Sequence, residues 1–119
     1  MNFETITVER NEAVGVLTLN RPQSMNALCA AMAGEITEAL KQFDADDSIR
    51  AVVLTGADGC FAAGTDMTEF KDDAAFAVYT AAKDELKNFK KPLIAAVAHY
   101  AFGGGLELVL ASDISIAGD

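Results

Sequence analysis

Two short, unbroken apolar runs, residues 51–55 (AVVLT) and 93–97 (LIAAV), set most of what this chain can fold into. Each has the length of a strand, and the first closes on Gly56. Such runs are expected of strands covered by helices on both faces, as in parallel sheets. Between them, Phe70, Ala74, Val78, Ala82, Leu86 and Phe89 recur at helical spacing over residues 68–89. A second amphipathic helix is predicted over 27–43, with Leu28, Met32, Ile36, Leu40 and Phe43 on one side and Glu35, Glu38, Lys41 and Gln42 on the other. Residues 3–8 and 14–19 read as a β-hairpin joined by the polar turn 9–12, and Pro22 then breaks the pattern into a loop. After the run 93–97 come three glycines at 103–105, a short helical run 106–110 and a further strand at 114–117. Strand, glycine loop, helix and strand recur in that order, which implies an α/β fold with parallel crossovers. No linker or internal sequence repeat divides residues 1–119, which are read as part of one domain.

Charge narrows the range of partners. The net charge of -9 has no basic counterweight larger than Lys90-Lys91, so the footprint of a nucleic-acid binder is missing. An anionic ligand has to be held by backbone N–H groups and a few local cations. Apolar stretches such as 93–98 fall far short of the ~20 residues a membrane helix needs, so no membrane association is expected. Cys29 and Cys60 form no disulfide-dense pattern and no basic-plus-apolar leader precedes them, which leads to the expectation of reduced thiols in the cytoplasm.

Two loops that follow predicted strands are candidate site walls, 56–66 and 98–107. Three glycines entering a helix expose backbone N–H groups beside a positive helix terminus, a geometry that holds an anion. Neither loop has the spacing of a phosphate loop or a dinucleotide fingerprint. What remains is a developing oxyanion held by peptide donors, or glycines that only let a helix pack closely on a strand, and the glycines do not decide between these. Glu107, three residues after Gly104 in an otherwise apolar run, reads either as a general base beside such an anion or as a helix-start glutamate. His99 with Cys60 would make a thiol dyad, and the plainer reading of His99 is a turn residue.

The strings LNRP (19–22) with NAL (26–28), AVVLTG (51–56), FAAGTDM (61–67), KPLIAAV (91–97), GGGLEL (103–108) and SDI (112–114) resemble the enoyl-CoA hydratase/isomerase, or crotonase, pattern in order and spacing. The resemblance implies a crotonase-like spiral of ββα units, truncated before its C-terminal part, that acts on acyl-CoA thioesters. It implies an oxyanion hole made by the N–H groups of Thr65 and Gly104, and Glu107 as one of two glutamates that activate water. It implies that Ala27, Ala63, Thr65, Asp66, Met67, Thr68 and Gly104 line the substrate site. The second glutamate belongs to a segment beyond the strand 114–117, and the sequence ends at Asp119. No metal or separate cofactor is implied, coenzyme A being part of the substrate, and the family's assembly is a homo-oligomer, a trimer or hexamer. Four positions depart from the pattern: Thr65 replaces a small apolar residue, Thr68 a common lysine, and Ala98-His99 the usual Asn-Gly. Isomerisation or another acyl-CoA lyase reaction is the alternative chemistry, and a catalytically incomplete interaction module is the alternative of a different class.

Overall fold

The structure, a computed structural model, describes residues 3–64 and 73–118. Strand β1 (Ile6–Asn11) is followed by β2 (Val14–Leu19), α1 (Ala30–Ala45), β3 (Ala51–Gly56), α2 (Asp73–Asn88), β4 (Leu93–Val97), α3 (Gly104–Ala111) and β5 (Ile114–Ala117). The five strands form one sheet in sequence order. β1 and β2 are antiparallel, and every later neighbour pair is parallel. No described helix is long and apolar enough to cross a membrane.

Several details differ from those read in the sequence. The first strand starts at Ile6 rather than residue 3 and runs on through Glu9, Arg10 and Asn11, so the hairpin closes over Glu12-Ala13 alone, with Glu12 at φ 55°. β1 is a sheet edge, where charged side chains project to solvent while the backbone completes its ladder with β2. Helix α1 starts at Ala30 rather than residue 27, because Met25 and Asn26 adopt left-handed conformations (φ 51° and 57°) and Leu28 is held extended by donating its N–H to Gly64 O at 2.6 Å. In α2 the buried stripe is Ala75, Ala82 and Leu86, with Tyr79 half-buried, whereas Ala74 is exposed. Phe70 and the rest of the predicted helix start, 68–72, lie outside the described residues.

The sheet buries one face. Gly15, Leu17 and Leu19 of β2, Val52 and Leu54 of β3, and Leu93 and Ala95 of β4 alternate with half-buried neighbours. The register places Leu17 beside Leu54 and Leu54 beside Ala95, so the buried set is continuous across the strands. Met32, Ile36, Leu40 and Phe43 of α1 and Leu86 of α2 complete this core. The expectation that 51–55 and 93–97 are buried on both faces is corrected: Val53, Thr55, Ile94 and Ala96 are only half-buried. An unbroken apolar run records hydrophobicity on both sides of a strand, but cover depends on what packs there.

Polar side chains tie the periphery to this core. Lys91 donates from Nζ to the carbonyl oxygens of Phe43 and, at 2.8 Å, Asp46, which satisfies orphan acceptors at the end of α1. Glu35 accepts from the N–H of Glu4 and of Thr5, both at 2.8 Å, and from the Thr5 hydroxyl, fastening the segment before β1 onto α1. Asn26, fully buried, accepts from Arg21 N at 2.8 Å and donates through Nδ2 to Ala57 O (3.1 Å) and Cys60 O (2.8 Å).

Partial burial pushes the Glu35 carboxyl up, but the hydrogen bonds from Thr5 and Glu4 outweigh it and hold the group below the ordinary glutamate range. A depressed value means that the stabilisation is fully present above the ordinary range and is lost as pH falls through the depressed value. Glu35→Gln is therefore expected to lower stability by about 1 kcal/mol at neutral pH. The deficit should fade in strong acid when urea denaturation of the full-length protein is repeated there, and a deficit independent of pH would refute the charge-based account. Asn26→Ala, which strands one donor and two acceptors in the interior, is expected to cost about 2–3 kcal/mol. Asn26→Asp should be at least as damaging, since a carboxylate would face two carbonyl oxygens; thermal melts matching the parent protein would rule the clip out.

Candidate active site

The loops after β2, β3 and β4 meet at the carboxyl ends of the strands, where open α/β sheets place their ligands. They are laced into a second, minor pairing layer. Ala63 donates its N–H to Met25 O (3.0 Å), and Phe61 and Ala62 donate to Ala98 O and Tyr100 O (both 3.0 Å). Phe102 donates back to Ala62 O at 3.2 Å, and Ala62 bridges Ala101 in parallel. Segment 61–64 therefore lies between segments 25–28 and 98–102. Each parallel crossover carries this extra extended piece between strand and helix, which gives the second β of each ββα unit.

Glycine is required twice here. Gly103 stands before α3 at φ 49°, ψ −116°, a conformation closed to most side chains. A Cβ on Gly105 would fall 2.7 Å from Ala62 O and 2.8 Å from Ala62 Cβ, so only glycine lets α3 sit on the 61–64 segment. As the first residue of α3, Gly104 presents an N–H that its own helix cannot satisfy. The backbone at Gly64 passes close by, its Cα 3.8 Å from the place a Cβ on Gly103 would take. The next residue, Thr65, and with it Asp66, Met67 and Thr68, lie outside the described residues.

A cavity of about 510 Å³ opens between these loops and the helices. Its walls are largely apolar, formed by Leu28 and Ile36, by Phe76 and Tyr79 of α2, by Ala63 and Gly64, and by Phe102, Gly103 and Leu108. That size and lining suit an organic ligand with an apolar body. Of the substrate-lining residues read in the sequence, Ala63 is on the wall beside Gly64, while Ala27 is half-buried in the adjoining segment, its carbonyl accepting from Arg21 Nη1 at 2.6 Å.

Glu107 also lines this cavity, one turn along α3 from Gly104, and its side chain is open to solvent rather than enclosed by its apolar sequence neighbours. Leu106 and Leu110 are themselves exposed, and the Glu107 side chain is 51% exposed. Its Oε2 lies 2.5 Å from Nζ of Lys83 on α2. Lys83 was not singled out in the sequence. The available signal was its place four residues after Tyr79, on the flank of the buried stripe of α2.

His99 and Cys60 border a different, smaller pocket of about 290 Å³ together with Asn26, Asp58 and Tyr100. The Cys60 thiol is directed at Met25 O (3.6 Å), His99 is an exposed residue at φ 56°, and no hydrogen bond joins the two among the described residues. His99 is thus the turn residue of the plainer reading. Cys29 and Cys60 are both free thiols.

Comparison with known proteins agrees with this geometry. A family model described as Enoyl-CoA hydratase/isomerase matches residues 9–119. A probable enoyl-CoA hydratase of Mycobacterium tuberculosis is 46% identical over 123 residues, covering 100% of this chain and 48% of the relative. The mitochondrial enoyl-CoA hydratase of Pongo abelii is 45% identical, covering 99% of this chain and 43% of the relative. The crystal structure of an enoyl-CoA hydratase/carnithine racemase from Magnetospirillum magneticum superposes with a TM-score of 0.92 at 36% identity, over 98% of this chain and 47% of that one. The chain thus spans about half the length of the relatives it matches. Over that half it has the crotonase-like fold, and it belongs to the enoyl-CoA hydratase/isomerase family.

Proposed function

We propose that the full-length protein adds water to the double bond of a 2-enoyl-CoA thioester. The observation that supports this reading is that Gly103, immediately before the first residue of α3, and Glu107, on the first turn of that helix, line one largely apolar cavity. The N–H groups of Thr65 and Gly104 polarise the thioester carbonyl and stabilise the enolate oxygen formed when the nucleophile arrives. Glu107 accepts a proton from water as its oxygen bonds to C3. The enolate electron pair then takes a proton at C2 from the second glutamate that the family resemblance implies, the proton held by Glu107 replaces the one given up, and the sum is one water added across the double bond. Ala27, Ala63, Thr65, Asp66, Met67, Thr68 and Gly104 line the acyl-CoA path in this reading. The free thiols support a reducing, cytoplasmic setting. A homo-oligomer, trimer or hexamer, is the assembly that the family resemblance implies for the full-length protein.

In the full-length gene product, Glu107→Gln is expected to lower kcat roughly 10²-fold or more with little change in substrate affinity. Steady-state hydration of a short-chain 2-enoyl-CoA measures this, and undiminished turnover would remove Glu107 from the chemistry. The 119-residue polypeptide alone is expected to be silent in the same assay and to self-associate, since Leu110 is 75% and Ile116 61% exposed on α3 and β5. A monodisperse monomer with full turnover by light scattering and assay would overturn that expectation.

A further inference from the structure

We infer that Lys83 is a positioning residue for the Glu107 carboxylate, fixing which of its two oxygens meets the water. This rests on the hydratase reading of Glu107. The two side chains come from different helices, α2 and α3, and meet on the lining of the 510 Å³ cavity with Nζ 2.5 Å from Oε2. Among the described lining residues Lys83 is the one cation and Glu107 the one anion, so the pair is the only full-charge interaction on an otherwise apolar wall.

The geometry gives this contact a directional consequence. A glutamate on the first turn of a helix has several rotamers available, and with Glu107 half-exposed nothing in its packing selects one. A charge-assisted bond to Oε2 selects a rotamer in which that oxygen is occupied and Oε1 is left to accept from a water. Lys83 itself is held by the helix that supplies Phe76 and Tyr79 to the same wall, so the reach of the ammonium is set by the packing of α2. Lysine cannot be recruited instead as an unpaired anchor for a substrate phosphate without giving up Glu107. In a chain of net charge -9, the cation at this cavity is committed to the acid beside it.

Exposed ion pairs contribute little to folding, so removing the ammonium is expected to leave the thermal melt of the full-length protein unchanged. Lys83→Met should lower kcat about tenfold with KM nearly unaltered, the signature of a misplaced catalytic group. Lys83→Arg, which keeps a cation within reach, should restore most of the loss. In a double-mutant cycle, adding Lys83→Met to Glu107→Gln should cause no further decrease, because there is no longer a carboxylate to position. If Glu107→Gln lowers kcat while Lys83→Met leaves it untouched, the inference fails and the hydratase reading stands. A rise in KM alone on Lys83→Met would make the lysine a substrate-binding group and also overturn it. Unaltered turnover in Glu107→Gln would bring down the reading beneath, and the positioning role with it.

Discussion

The arrangement of the site depends on one buried amide. Asn26, itself fully buried, reaches from the loop after β2 to two carbonyl oxygens of the loop after β3 while accepting from Arg21. An amide is suited to this because it offers a donor pair and an acceptor on one planar group. Its left-handed backbone, tolerated by asparagine better than by most residues, turns the chain so that Leu28 pairs with Gly64 before α1 begins. The cavity floor at Ala63 and Gly64 is therefore placed by a residue that does not line the main cavity.

The large elements were legible in the sequence because their causes are local. The runs at 93–97 and 114–117 became strands with those bounds, and the periodicity of Met32, Ile36, Leu40 and Phe43 marked the buried face of α1. The boundaries that moved did so for tertiary reasons. Residues 27–29 have helical composition but are held extended by pairing with a segment some 35 residues away, a contact that no periodicity can announce. The same is true of the site. Three glycines at the start of a helix and a glutamate one turn on could be read as a pattern, but the partner of that glutamate lies on another helix, where spacing along the sequence cannot place it.

Two of the few lysines have specific tasks, and these differ in kind. Lys91 closes the carbonyl end of α1, where a helix terminus concentrates partial negative charge. Lys83 faces a full carboxylate on the cavity lining. Sequence clustering picked out the first, as half of Lys90-Lys91, and missed the second, although the second bears on chemistry. In an acidic chain the informative cations are those with a defined neighbour, whatever their density along the sequence.

The junction between α3 and β5 has a mechanical consequence. Asp113 donates its N–H to Leu93 O at 2.9 Å and accepts from Leu93 N at 2.8 Å, forming a closed ring of two bonds with the first residue of β4. At its other end α3 is seated on Ala62 through the missing side chain of Gly105. A helix of eight residues pinned at both ends behaves as a short span between two piers. Any tilt that moves the Gly104 donor also swings Glu107, so the two groups that would act on the substrate are geared to move together.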